Sequence, residues 1–275
     1  MKRALPGYAV VCAVVLLFAC GAAAQEVKLI ATVVDQKTGE PVADLAARNF
    51  SVVDGKTPLR VDQAVFKTTS IDVMLLIDSS LVGEMVGPLA GAFVSELGEK
   101  EQMAIVSYHD SADLIQDFTS SKQLLFQSLN QIEYGNNPRV LDALYAAIEG
   151  GFTSSAGRRV AVVLSAGVEG NSRVTEAEVL RLARQRGVSI FPVYVLGVER
   201  GMFRRLSDNS GGADFASGKL KLKPAELSKL VFSVLRGHYE LLVSGVSQTG
   251  DRVQVKIEEG PKSKRKLRAS ALPLE

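Results

Sequence analysis

Asp78, Ser79 and Ser80 set one carboxylate and two hydroxyls side by side at the end of an apolar run, Val73 to Ile77. A continuous apolar run of that length, closed by polar residues, is the pattern of a strand buried on both faces. Oxygen-bearing side chains at the carboxyl end of such a strand sit where open α/β sheets bind ligands. Ser165 closes a second run of the same kind, Arg159 to Ser165. Serine hydrolysis through Ser80 or Ser165 would need a base, and neither has one at a recognisable spacing. No G-x-S-x-G elbow presents a nucleophile. His109, Asp110 and Ser111 are adjacent in sequence, whereas a catalytic triad converges from separate segments. Asp110 and Asp113 therefore read as turn residues, and Glu84 and Glu169 as solvated charges. With His109 and His238 as the only histidines, a multi-histidine metal site within one chain is excluded. No G-x-G-x-x-G follows the first apolar strand, which removes a dinucleotide site.

The rest of the chain sets the frame for that strand end. Its 275 residues are 47% hydrophobic, enough for one large domain or a medium domain with a smaller companion. Lys plus Arg number 32 against 30 for Asp plus Glu, a balance unlike that of a dedicated nucleic-acid binder. Residues 1–24 read as a secretory leader: Lys2 and Arg3, an apolar stretch from Tyr8 to Phe18, and an A-x-A cleavage pattern at Ala22-Ala23-Ala24. Both cysteines, Cys12 and Cys20, fall inside it, so a chain cut after Ala24 carries no disulfide. Leu17 to Gly21 also resembles a lipoprotein box, in which Cys20 would become the acylated first residue. The expected location is the periplasm or the exterior. No later segment approaches the ~20 apolar residues of a membrane span.

Strand patterns cover Val27–Val34, Phe50–Val53 and Leu59–Phe66, the last two joined by a hairpin signal at Asp54-Gly55-Lys56. These belong to a β-rich lead-in, residues 25–69. From residue 70 to 237 strands and helices alternate. The strands are Asp72–Ile77, Met103–Tyr108 with its hairpin mate Asp113–Phe118, Arg159–Ser165, Ser189–Leu196 and a short Ala213–Ala216. Pro192, within the fourth of these, implies an edge or a bulge. The helices are Glu84–Leu97 with Met85, Leu89, Phe93 and Leu97 on one face, Ser121–Gln131, Arg139–Phe152, Thr175–Arg186, Gly201–Asp208 and Pro224–Arg236. Thr175 and Glu178 form a capping box. Residues 238–275 return to strands: His238–Val246, Arg252–Glu258 and Arg265–Leu272. The alternation implies a doubly wound, mainly parallel sheet with one antiparallel edge strand. Each flank carries too few strands to be stable alone, so the two are expected to pair into one small β unit.

With the elements in order, about Ser70 to Arg236 resembles the von Willebrand factor type A domain. The resemblance is carried by the strand ending in D-x-S, the I-V-S-Y-H-D…F-T hairpin, Asp142-Ala143-Leu144 on a helix, and V-V-L-S-A-G at Val162–Gly167. The flanks resemble the bacterial exported subgroup of VWFA-related acidobacterial proteins, through Val53-Asp54-Gly55-Lys56 and Phe66 before the domain and Tyr239 to Ala269 after it. The resemblance implies a metal-ion-dependent adhesion site, in which a D-x-S-x-S loop, a threonine and a second aspartate hold Mg²⁺ or Mn²⁺. An open position there takes a partner's carboxylate.

Carried over position by position, Asp78 and Ser80 fit that pattern. The third position is Val82, the threonine position falls on Pro138 or Arg139, and the second aspartate position is Ala166. An octahedral Mg²⁺ asks for about six oxygens, and three of these five positions supply none. The bland reading of Asp78 is a carboxylate accepting hydrogen bonds from its own loop. Lys262, Lys264, Arg265, Lys266 and Arg268 read either as a patch for an anionic surface or as an edge strand protected by lysines. Lys219, Lys221 and Lys223 are a weaker case of the same kind. The function implied is a non-catalytic protein-binding module with a degenerate metal site and no required cofactor. Contact would run through Ser79–Gly83, Asn136–Arg139 and Ala166–Ser172, with Ser79, Val82, Asn137, Arg139, Ala166 and Glu169 facing the partner. The alternatives are a weak Mg²⁺ or Mn²⁺ completed by the partner's carboxylate, and, more remotely, an envelope serine hydrolase.

Overall fold

The computed structural model describes residues 26–152, 157–245, 253–260 and 263–274. The leader, Cys20 and Lys262 lie outside the described residues. In chain order the elements are β1 (Glu26–Asp35), β2 (Phe50–Asp54), β3 (Thr57–Thr68), β4 (Ile71–Asp78), α1 (Gly87–Glu96), β5 (Gln102–Tyr108) and β6 (Ala112–Thr119). They continue with α2 (Lys122–Leu129), α3 (Val140–Gly151), β7 (Arg158–Ser165), α4 (Glu176–Gln185), β8 (Val188–Tyr194), α5 (Arg200–Asp208) and β9 (Phe215–Ala216). The last are α6 (Ser217–Leu220), α7 (Pro224–Arg236), β10 (Gly237–Ser244), β11 (Val253–Ile257) and β12 (Leu267–Leu274).

The strand that ends in Asp78 lies at the centre of the larger architecture. The first sheet has the order β6-β5-β4-β7-β8-β9. All its pairs are parallel except β5 with β6, which is antiparallel. Side chains along a strand alternate between faces, and β4 uses both. Val73, Leu75 and Ile77 pack with α1 and α7 residues such as Phe93 and Phe232. Met74 and Leu76 pack with α3, α4 and α5 through residues such as Leu144, Val179 and Phe203. Burial on both faces is why the β4 sequence reads as an unbroken apolar run.

Pro192 sits inside β8, whose full length pairs with β7. On its other side β9 pairs only Val193 and Tyr194. The Ile190 N–H points to that side and donates to Ser210 Oγ at 3.0 Å. Residue 192, two further on, directs its nitrogen the same way, where no ladder partner runs and a missing N–H costs nothing. The expected Glu84–Leu97 helix divides in two. Leu81–Val86 is a tight 3-10 segment, and α1 begins only at Gly87 with Pro88 in its first turn. Leu89, Phe93 and Leu97 are buried as their spacing implies, but Met85 falls on the 3-10 segment and faces solvent.

The second sheet has the order β11-β2-β3-β10-β1-β12 and draws on both ends of the chain. β10 lies between β3 and β1, antiparallel to each. Tyr239 of β10 is its anchor. The ring lies edge-on to Phe50 and Phe66, with centroids 5.0 and 5.2 Å away, and the hydroxyl accepts the Leu45 N–H at 2.9 Å. Each such aromatic pair contributes roughly 0.5–1.5 kcal/mol beyond area burial.

The two sheets meet along β1 and β12. Thr32 Oγ1 donates to the Gly211 carbonyl at 2.7 Å, and Arg158 Nη2 donates to Thr32 Oγ1 at 3.2 Å. Near this seam His238 is buried. Burial, and then the charge of Arg158, depress its imidazole from 6.5 to about 4. The folded state holds the neutral ring while the unfolded chain protonates near 6.5, so its contribution is complete above that pH. It drains away as the pH falls to about 4 and is constant below. Urea unfolding across this window should show stability falling with acidification, with a shallower fall in His238→Gln.

Candidate functional site at the carboxyl end of the sheet

Asp78 is the last residue of β4 and is 1% exposed. Its Oδ1 accepts the Ser80 N–H at 3.0 Å and the Ser80 hydroxyl at 2.6 Å, and its Oδ2 accepts the Ala166 N–H at 2.9 Å. The carboxylate thus ties the loop after β4 to the loop after β7. Gly83 closes over it: a Cβ built there would lie 2.2 Å from the Asp78 carbonyl oxygen and 2.6 Å from Oδ1. Beneath, Tyr108 is fully buried and donates to the Leu164 carbonyl at 3.3 Å. Burial, followed by the nearby charge of Asp78, pushes its phenol well above the usual value, so it stays neutral.

The surrounding loops lock to one another in the same way. Ser79 N–H donates to the Tyr108 carbonyl, Gly135 N–H to the Ser79 carbonyl, and Leu81 N–H to the Gly135 carbonyl, all within 3.1 Å. Glu169 is not a solvated charge. Its Oε2 accepts the Val140 N–H at 3.0 Å, and its Oε1 accepts the Ser172 N–H at 2.7 Å. Ser172 Oγ accepts the Leu141 and Asp142 N–H groups, and Asp142 Oδ1 accepts those of Arg173 and Val174. The N-cap residue of α3, Arg139, provides no side-chain cap. The open N–H groups of that helix are therefore met by Glu169 and Ser172 from a loop about thirty residues away. A negative charge there also suits the helix dipole. Glu169→Ala should cost about 1–2 kcal/mol in thermal unfolding, the range for loss of a helix cap.

The structure distributes the expected contact residues unevenly. Ser79 and Ala166 are wholly buried and cannot face a partner. Val82 and Asn137 are exposed, and Arg139 and Glu169 are half-buried. The Asn137 amide donates to Asp110, which also accepts the Asn136 N–H at 3.2 Å. Asp110 thereby holds the loop before α3, a longer-range role than that of a turn residue. Asp113 does act locally, accepting from the Ser111 hydroxyl. Ser80 and Ser165 are both fully buried, and Ser165 Oγ accepts the Gly167 N–H. Neither hydroxyl reaches solvent. His109 Nδ1 accepts the neighbouring Asp110 N–H at 2.7 Å.

The residues present do not fit an octahedral cation. Both oxygens of Asp78 already face N–H or O–H donors of the chain itself, and Val82, Pro138, Arg139 and Ala166 offer no side-chain oxygen. Among the described residues no group of three or more His, Asp, Glu or Cys comes together to hold a metal ion. What the loops present outward is apolar. Leu81 is 66% exposed, Val82 43%, Met85 46% and Val198 68%. Leu196 and Tyr134 are exposed on the neighbouring loops. These loops follow β4 and β8 or precede α3 and share one end of the sheet, a position from which an apolar cluster can meet another protein.

Sequence reasoning missed Glu169 and Ser172 as caps, because the helix they serve starts about thirty residues earlier. It passed over Gly83, though a glycine five residues after a buried strand-end aspartate was a readable sign of close approach. The basic tract also changes meaning. Arg265 pairs with Asp44 at 2.9 Å and with Glu259, and Arg268 pairs with Asp214 and Asp208. Lys264 and Lys266 are exposed. Two of the five cations are thus spent inside the chain.

A doubly wound sheet with its polar loops gathered at the carboxyl ends defines a Rossmann-like α/β domain. A sequence profile for the von Willebrand factor type A domain matches residues 72–221. The chain belongs to that family. Proximal thread matrix protein 1 from the mussel byssus, solved with a zinc-occupied MIDAS motif, is 16% identical with a TM-score of 0.55. The match covers 70% of this chain and 50% of that one, so the chain spans about half the mussel protein's length and shares its fold. An aerotolerance-related membrane protein from Bacteroides fragilis is 11% identical, with a TM-score of 0.48, over 59% of this chain and 96% of that one. BatB from Bacteroides thetaiotaomicron is 15% identical, with a TM-score of 0.46, over 58% and 98%. No curated protein matches the chain.

Proposed function

We propose that the chain is a non-catalytic protein-binding module of the cell envelope or exterior that engages its partner without an obligatory metal ion. The family is typically one of interaction modules, and the leader pattern of residues 1–24 supports export. The observation that carries the metal-independent reading is the Asp78 carboxylate. It is taken up by Ser80 and Ala166 while Leu81, Val82, Met85 and Val198 stand exposed around it. The contact would be apolar at its centre with a polar rim. We propose also that the second sheet is a joint product of the chain's two ends and buttresses the domain along β1 and β12.

The test is capture of the partner from envelope extract with and without EDTA. The expected result is retention in EDTA and loss of at least tenfold in affinity in Leu81→Asp with Val198→Asp, since central apolar contacts carry most binding energy. Partner binding abolished by EDTA would replace this reading with the one in which the partner's carboxylate completes a weak Mg²⁺ site.

A further inference from the structure

At the sheet edge two strands from Asp78, where α5 and α6 face β12 and the turn after β1, lies a cavity of about 70 Å³. Its lining holds four cations, Arg200, Arg204, Lys219 and Arg268, against two carboxylates, Asp35 and Asp214. The pairings within it decide what it can bind. Both oxygens of Asp214 are engaged: Oδ2 accepts the Tyr194 hydroxyl at 2.7 Å and Oδ1 accepts from Arg268. Asp35 Oδ1 accepts the N–H groups of Lys37 and Thr38 within its own turn. Arg204 is matched by Asp208 at 3.5 Å, just outside the lining. Arg200 and Lys219 enter no ion pair among the described residues, and Arg268 meets Asp214 through Nη1 and Asp208 through Nε. Unpaired cations on a polar floor, over space for on the order of two water molecules, form a receptor for one small oxyanion. A guanidinium fork suits tetrahedral oxygens especially well.

We propose that this seam cavity binds a phosphate group, free or as a simple monoester, held by Arg200, Lys219 and Arg268. The site goes beyond the partner-binding reading and does not depend on it. Because its walls come from the α/β domain and from the second sheet together, an occupied cavity joins the two. Ligand bound only by the folded state then stabilises the seam by mass action.

The experiment is isothermal titration calorimetry of the chain lacking residues 1–24 with inorganic phosphate and, separately, glycerol 3-phosphate, at constant ionic strength. The expected result is saturable one-to-one binding of at least one of them. It should weaken tenfold or more in Arg200→Ala with Lys219→Ala, the loss expected when charge-assisted bonds are removed. Both residues are exposed and enter no ion pair among the described residues, so that variant keeps its fold, which circular dichroism verifies. Lys56→Ala with Lys100→Ala removes the same charge elsewhere and should bind like the parent. The ratio of the two affinities reports whether the group is taken free or as an ester. Absence of saturable binding by either probe, undiminished binding in the Arg200/Lys219 variant, or equal loss in the Lys56/Lys100 control would overturn the proposal.

Discussion

A chain ending at Gly237 is expected to lose the second sheet entirely and to become insoluble or partly unfolded. β10 bridges β3 and β1, β12 covers the outer edge of β1, and β11 pairs with β2. All three lie beyond the cut apart from Gly237, the first residue of β10. What remains is the β2–β3 hairpin and an isolated β1, and two-stranded ribbons are marginal in water. The core of that sheet, including Leu29, Ala31, Val33, Phe50 and Val52, would lose Tyr239, Leu241 and Val243 from its centre. Fully burying an aliphatic or aromatic side chain is worth about 1.5–3 kcal/mol, so losing these three alone removes roughly 5–9 kcal/mol, comparable to the ~5–15 kcal/mol total of an ordinary domain. Amide hydrogen exchange over residues 26–68 reads the effect directly. Fast exchange there is the expected result, whereas full solubility with unchanged stability would refute the joint origin of the sheet.

Asp78→Ala is expected to destabilise the protein whether or not magnesium is present. The substitution strands the Ser80 N–H, the Ser80 hydroxyl and the Ala166 N–H, each paired only with this carboxylate in a site closed to water. An orphaned buried donor costs about 1–3 kcal/mol. Allowing for some relaxation of the two loops, a total near 3 kcal/mol follows, or roughly 6–12 °C in thermal midpoint for a chain of this size. Asp78→Asn should fall between, because it keeps an acceptor for Ser80 but turns an amide donor toward the Ala166 N–H. A carboxylate held in readiness for a cation would behave in the opposite way, since its removal would leave the metal-free protein unchanged or more stable. Thermal unfolding of both variants in EDTA and in magnesium separates these cases.

The α/β core was legible because its signals are local. Buried strands such as β4 and β7 are uninterrupted apolar runs, and α4 announces itself with the Thr175–Glu178 box, whose reciprocal bonds the structure contains. α7 begins and ends where Pro224 and Gly237 place it. Legibility failed where the deciding contact is distant. Nothing near Glu169 reveals that it caps a helix starting at Val140, and nothing near Arg268 reveals that its partner is Asp214. α6 is only four residues, Ser217–Leu220, and ends at Lys221 in the left-handed region with φ 55°, so it has too little periodicity to register. Met85 misled because a 3-10 segment turns faster than an α-helix and breaks the i, i+4 register with Leu89. For the site itself, the absence of oxygen at Val82, Pro138, Arg139 and Ala166 could be read residue by residue. The use to which Asp78 is put in its place could not, because Ala166 N–H reaches it from the loop after β7, 88 positions along the chain.

The account rests on Asp78 serving as a clamp between two loops, with the surface above it free to bind protein unaided. Isothermal titration of the chain lacking residues 1–24 with Mg²⁺ and with Mn²⁺ tests this most directly. The account predicts no saturable heat up to millimolar concentrations of either ion, in the parent and in Asp78→Ala alike. Micromolar, one-to-one binding in the parent that disappears in Asp78→Ala would contradict it.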